Sequence, residues 1–238
     1  MLGTTVWKGM AINLTSEAGM TNYEAAPEVS QGLPPPNLDG GTVIMALDLL
    51  SHWWSRPVGD EVAFWLGVAE AEEFVADKMA AGQWRPSSEL DSVERLLEEY
   101  ERLFVGPGQV PCPPYESYWR NDVPVEIRRS LMGPCTADLM RLYGEIGLEV
   151  APRSGALPDE IAIELEALAF SLSLEGATAV SRTILFDHLG RWLPQLCRAV
   201  AHEAQTPFYK TLPSLTLGWL GPIKSHLQSM AAREVGAE

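Results

Sequence analysis

The chain has 238 residues and a formal net charge of −15, from 17 Lys and Arg against 32 Asp and Glu. Nucleic-acid binding normally needs a basic surface, and this sequence has no run of three basic residues. No stretch of roughly 20 apolar residues is present to span a membrane, and the first residues lack the apolar core of a secretory signal. Three widely spaced cysteines, Cys112, Cys135 and Cys197, are typical of a reducing compartment. We therefore expect a cytoplasmic globular protein, without nucleic acid as a partner and without stable membrane insertion.

The acidic charge bears on partners as well. A strongly negative protein attracts cationic partners through its long-range field. The same charge can merely keep a protein soluble. Composition alone leaves both interpretations open.

Helical patterns dominate the chain after its first segment. Residues 1–39 hold a Pro/Gly/Ser-rich stretch without an apolar period, and we predict a flexible or strap-like N-terminal extension there. Residues 40–238 show no strand alternation and no fixed repeat, which predicts an all-α, single-domain helical bundle. The predicted helices are Thr42–Trp54, Asp60–Ala81, Val93–Phe104, Thr136–Ile146, Pro158–Leu174, Ala177–Ala204 and Phe208–Arg233.

The helix over Val93–Phe104 has the clearest apolar face, and its opposite face carries charged residues that include Glu99. The helix over 158–174 is expected to begin with Pro158 at its first position, where a missing N–H costs nothing. A start of a new helix or a kink is expected at Pro194. The predicted core positions of the later helices are Ile161, Leu165, Leu168, Leu172, Leu189, Leu193, Leu196 and Val200.

The acidic run Asp159, Glu160, Glu164 and Glu166 has two interpretations. The ordinary one is a solvated helix face, on which like charges one turn apart repel weakly. The other is a site that awaits a cationic ligand.

No catalytic motif is present in the sequence. Phosphate loops, dinucleotide fingerprints, nucleophile elbows, HExxH and CxxC are all absent. Cys112 lies in a proline-rich loop without a His or Lys nearby to activate it. We predict that the protein is not an enzyme and holds no cofactor of its own.

Two motifs carry a resemblance to a known family. Residues 100–108 read YERLFVGPG, and residues 113–119 read PPYESYW. Further matches in the same order are YGEIGL at 143–148, LPDEIAIELE at 157–166, DHLGRWLP at 187–194 and PFY at 207–209. The sequence resembles the TorD/DmsD group of cytoplasmic redox-enzyme maturation chaperones, relatives of the NarJ type. The motif positions in the first two segments are Tyr100, Leu103, Phe104, Gly106, Pro107, Gly108 and Pro114.

The resemblance implies an all-helical TorD-like bundle and a chaperone function. Such proteins bind the twin-arginine signal peptide, and often the body, of an apo molybdenum-cofactor oxidoreductase catalytic subunit, as monomer or homodimer, until cofactor is inserted and export is safe. The sequence departs from the family pattern at Glu160, where the family usually has His.

A receptor for two guanidinium groups and an apolar stretch needs carboxylates and large apolar side chains. We therefore predict that residues 115–119 and 159–164, about forty positions apart, form one groove. Packing alone is the alternative for Tyr100, Phe104, Leu165, Trp192 and His188, which have the spacing of core residues. The candidate peptide-binding residues are Tyr115, Glu116, Ser117, Trp119, Asp159, Glu164, Asp187, His188 and Trp192.

Two other function classes remain at this point. One is an enzyme or nucleotide-dependent switch that uses the acidic cluster with a divalent metal. The other is a permanent structural subunit of a redox complex.

Overall fold

The computed structural model describes residues 39–57, 92–124, 130–150, 156–174 and 178–235. Within these ranges the chain is helical, and its β pairing is limited to one isolated bridge. The predicted all-α class is confirmed. The helices are α1 Gly40–Trp54, α2 Val93–Tyr100, α3 Glu116–Trp119, α4 Pro134–Glu145, α5 Ile161–Ser173, α6 Thr178–Thr183, α7 Gly190–Glu203 and α8 Pro207–Val235.

Two helices continue into a turn of π-helix. Glu101–Val105 extends α2, and Ile184–Leu189 joins α6 to α7. Pro194 lies inside α7 and does not begin a new helix. The predicted helix Asp60–Ala81 and the predicted extension 1–39, except Asp39, lie outside the described residues. None of the described helices is both long enough and apolar enough to cross a bilayer.

Helix α5 is the centre of the bundle. Ile161, Leu165 and Leu168 are fully buried, as their spacing predicts, and α1 packs along the helix. The Ser51 hydroxyl donates to the Ala162 carbonyl over 2.8 Å. Apolar residues lie on nearly all sides of this helix, which is the composition of a buried helix.

The expected start of this helix at Pro158 is wrong. The first helical residue is Ile161, and Glu160 before it has an extended backbone (ψ 136°). The Ile161 N–H donates to the Pro114 carbonyl over 2.9 Å, and this bond to a distant segment holds the preceding residues out of the helix.

The YERLFVGPG motif shapes the end of α2. Tyr100, Leu103 and Phe104 are buried, whereas Pro107 and Gly108 form an exposed turn. Gly106 ends the π-helical turn with φ +107° and ψ −175°, a conformation essentially confined to glycine. These motif residues therefore support the fold.

The solvent face predicted for the helix over Val93–Phe104 is wrong at Glu99, which is 5% exposed. Its carboxylate accepts from Arg102 and from the backbone N–H groups of Gln205 and Thr206. These amides lie between α7 and α8 and need an acceptor, which explains why a charged residue is buried here.

Candidate functional site

The two predicted motif segments meet through their backbones. Tyr115 and Glu160 form the isolated antiparallel bridge, and the Glu116 N–H donates to the Asp159 carbonyl over 2.9 Å. The Ile161 N–H bond to Pro114 closes the same pairing. The structure thus places the PPYES residues directly against the start of α5.

Glu116 is the most enclosed carboxylate of this junction. It is fully buried, and it forms an ion pair with Arg120, one helical turn further on. Its Oε2 atom lies 2.8 Å from Nδ1 of His188 in the π-helical turn before α7. The other ring nitrogen of His188 lies 3.3 Å from Oδ2 of Asp138 in α4. This network joins three elements of the bundle.

Two further carboxyl groups are fully buried and only half satisfied. Asp159 Oδ2 accepts from the Ser117 N–H over 3.2 Å, and Glu164 Oε2 accepts from Trp192 Nε1 over 3.3 Å. Within the described part of the chain, Asp159 Oδ1 and Glu164 Oε1 have no hydrogen-bond partner. Burial, and then the nearby charge of Glu116, raises the pKa of both carboxyl groups. The interpretation of this acidic run as a solvated helix face is therefore wrong at Asp159 and Glu164.

Glu160 differs from these residues in its exposure. Its side chain is half-buried, makes no cap bond to α5, and has no hydrogen bond or ion pair among the described residues. It lies near Tyr100 and Tyr115, whose pKa values are raised by burial and then by the charge of Glu160. Burial and the charge of Asp159 raise the pKa of Glu160 to about 7. In the part of the chain that the structure describes, no cation pairs with this carboxylate to stabilise its charged form.

The other candidate residues divide between interior and surface. Trp192 is fully buried beside Glu164, and His188 is 3% exposed. Asp187 is exposed and pairs with Arg191 over 3.1 Å. Trp119 is half-buried, and its Nε1 donates to the Pro113 carbonyl over 2.6 Å. The carboxylates expected to face arginines are thus mostly internal.

Sequence reasoning missed two members of the network. Arg120 lies four residues after Glu116, a spacing at which opposite charges pair on a helix, so a local signal was present. Asp138 lies 50 residues from His188 and has no such signal. Among the described residues, no group of three or more His, Cys, Asp and Glu side chains is placed to hold a metal ion.

Comparison with known proteins gives three findings. The family described as nitrate reductase delta subunit matches residues 67–198, more than half of the chain. The Tat proofreading chaperone DmsD of Salmonella typhi is 30% identical over 124 residues, 52% of this chain and 58% of that protein. DmsD of Salmonella paratyphi A (strain ATCC 9150 / SARB42) is 29% identical over 124 residues, with the same coverage. The match thus spans little more than half the length of these curated relatives.

A crystal structure of a protein assigned to redox enzyme maturation in Archaeoglobus fulgidus is also similar. Its TM-score is 0.49 at 23% identity, and the similarity covers 72% of this chain and 89% of that one. The family match extends through the segments from YERLFVGPG to DHLGRWLP, which carry the resemblance in the sequence. The chain therefore belongs to the nitrate reductase delta subunit family, and the resemblance to redox-enzyme maturation chaperones is confirmed.

Proposed function

We propose that the protein is a non-enzymatic cytoplasmic chaperone that binds the twin-arginine signal peptide of an apo molybdenum-cofactor oxidoreductase subunit. It would hold this client until the cofactor is inserted and export is safe. Family membership supports the proposal, as do the relatives named Tat proofreading chaperones.

The observation that carries the proposal is the setting of Glu160. This carboxylate is desolvated but half-buried, it stands at the bridge between the two motif segments, and no cation among the described residues pairs with it. Asp159 beside it adds negative potential. A guanidinium group could pair with Glu160 through two parallel hydrogen bonds and would offset the desolvation of the charge. Where the family usually has His, this chain would use charge attraction.

The buried carboxylates have a different part in the proposal. Glu116, Asp159 and Glu164 have no exposed surface, so a peptide could reach them only if the bundle opened. We assign them to positioning, because they hold the two motif segments and Trp192 together. The surface for direct contact then consists of Tyr115, Trp119 and Glu160, with Asp187 as a further exposed carboxylate.

Peptide binding measured by calorimetry tests this function. A labelled twin-arginine signal peptide should bind the wild type about tenfold more tightly than the same peptide with both Arg changed to Lys, because Lys lacks the planar fork. Glu160→Gln should remove most of this preference. Glu98→Gln, an exposed position on α2, is the matched control and should change nothing.

The possible negative results distinguish a wrongly assigned contact residue from a wrongly assigned function. If the wild type binds the arginine peptide and Glu160→Gln does too, the function stands and the contact lies elsewhere, with Asp187 the next position to test. If the wild type binds neither peptide, the proposed function is wrong.

Raising the salt concentration should lower the association rate of the peptide, since partly exposed charges steer the encounter.

A further inference from the structure

One strip of α5 remains uncovered, although the rest of this helix is buried. Phe170 is 38% exposed, and Leu174, which follows the last helical residue, is 36% exposed. Glu166 lies one turn before Phe170 and is half-buried. Further along the same strip, Ile163 and Ala167 border a cavity of about 50 Å³, which Tyr143, Leu148, Glu149 and Val150 help to line. The strip therefore combines exposed apolar side chains with a small apolar recess.

Helix α1 extends this surface. Met45 is 55% exposed, and Asp48 lies one turn further on the same side of α1. Asp48 is close enough to Glu166 on α5 for the charge of one to raise the pKa of the other. We call this surface the α1–α5 face and define it by Met45, Asp48, Glu149, Glu166, Phe170 and Leu174.

The three carboxylates of the face are not neutralised within the described part of the chain. Asp48, Glu149 and Glu166 form no ion pair or hydrogen bond there, whereas half-buried Asp138 and exposed Asp187 both pair with arginines. Burial raises the pKa of Asp48, and burial with the charge of Asp48 raises that of Glu166. A cation placed between them would relieve both effects.

The charges of the α1–α5 face distinguish between the partners that could cover it. A two-fold contact between copies would bring the same carboxylates face to face, which is repulsive for a chain of net charge −15. Residues 1–38 of this chain carry one lysine, Lys8, against Glu17, Glu24 and Glu28, so they do not complement the face. An anionic lipid surface would be repelled. A basic amphipathic helix complements both the apolar and the acidic parts.

We propose that the α1–α5 face binds a basic amphipathic helix of another polypeptide. The apolar side of that helix lies on Met45, Phe170 and Leu174, and its Lys or Arg side chains reach Asp48 and Glu166. This surface uses residues other than those of the motif junction, so the proposal goes beyond the binding of a twin-arginine pair at Glu160.

The test uses a labelled synthetic helix of about five turns, with Leu along one stripe and Lys on its flanks. Its binding to the full chain is followed by fluorescence anisotropy at physiological ionic strength. Two comparison peptides share the design, one with Glu for every Lys and one with the same composition scrambled. We expect the basic amphipathic helix to bind at least about tenfold more tightly than either.

Matched variants locate the binding. The double variant Asp48→Asn/Glu166→Gln and the single variant Met45→Gln should each weaken binding about fivefold or more. Met140→Gln on α4 is the control for Met45→Gln, because Met140 is exposed to a similar extent, 52%. Glu98→Gln is the control for the carboxylates, and Glu160→Gln should bind the helix as the wild type does. Circular dichroism and urea unfolding check that each variant is folded.

Several results would overturn the inference. These are no binding by the wild type, equal binding of the Glu peptide, unchanged binding by the α1–α5 variants, or loss of binding in Glu160→Gln, which would place the helix at the motif junction. A dimer in sedimentation that Met45→Gln dissociates would assign the face to a second copy instead. None of these results decides whether a twin-arginine peptide binds at Glu160.

Discussion

The Nδ1 atom of His188 lies 2.8 Å from Oε2 of Glu116, and both side chains are buried. The second nitrogen of the same imidazole faces Asp138, whose side chain is 46% exposed. One ring therefore bridges an interior carboxylate and a surface carboxylate. Since the two carboxylates differ chiefly in burial, their removal should have very different consequences.

We expect Glu116→Gln to lower the free energy of unfolding by about 3 kcal/mol, because it removes a fully buried carboxylate that lies against His188 and leaves Arg120 with only its second partner, Asp122. Asp138→Asn should lower it by less than about 1 kcal/mol, since solvent replaces a partly exposed contact. Urea unfolding at pH 7 measures both. Equal losses for the two variants would contradict the role of burial.

The titration of Glu160 should make the stability of the protein depend on pH. Its folded pKa is about 7, above the ordinary 4.5, so between these pH values the folded state holds a proton that the unfolded state has lost. Stability from this group is therefore present below pH 4.5 and is lost as the pH rises towards 7. Glu160→Gln removes the titration.

We expect Glu160→Gln to match the wild type at pH 4.5 and to exceed it by about 1–2 kcal/mol at pH 8, after allowance for the partial exposure of the side chain. Urea unfolding at several pH values gives the difference. A constant difference across this range would show that Glu160 titrates normally.

The contribution of Glu99 to stability should depend on pH in the opposite direction. Burial opposes its ionisation, but Arg102 and the N–H groups of Gln205 and Thr206 together lower its pKa below the ordinary 4.5. Its contribution is present above pH 4.5 and is lost as the pH falls through the folded pKa. Glu99→Gln should cost about 2 kcal/mol at pH 7 and progressively less between pH 4.5 and pH 3. A cost that does not decline in acid would contradict the assignment of these bonds to the carboxylate.

Among the described residues, hydrophobic spacing predicted the longer helices, because each buried face is a local pattern, but it did not predict the short helix Glu116–Trp119. Leu189, Leu193, Leu196 and Val200 follow one another at helical intervals, and all are fully buried. The family resemblance, which is confirmed, likewise depended on short local motifs that occur in the expected order along the chain. Such signals need no knowledge of the partner that covers them.

The buried carboxylates could not be predicted in this way. Periodicity assigns a charged residue to solvent, but Glu164 faces Trp192, 28 residues further on, and Glu99 faces amides more than 100 residues away. The start of α5 failed for the same reason, since the Pro114 carbonyl that binds Ile161 comes from a distant segment. Long-range partners decided these positions.

Two glycines should respond to alanine with opposite signs. Gly106 has φ +107°, and an added Cβ would lie 3.3 Å from the Gly108 nitrogen, so Gly106→Ala forces a strained backbone or a displaced turn. Gly144 lies within α4 at an exposed position where an added Cβ meets nothing within 4 Å. We expect Gly106→Ala to lower the free energy of unfolding by about 2 kcal/mol or more, and Gly144→Ala to raise it by about 0.5 kcal/mol. Thermal and urea unfolding of the two variants check this pair, and a neutral Gly106→Ala would mean that the turn after α2 does not need its left-handed residue.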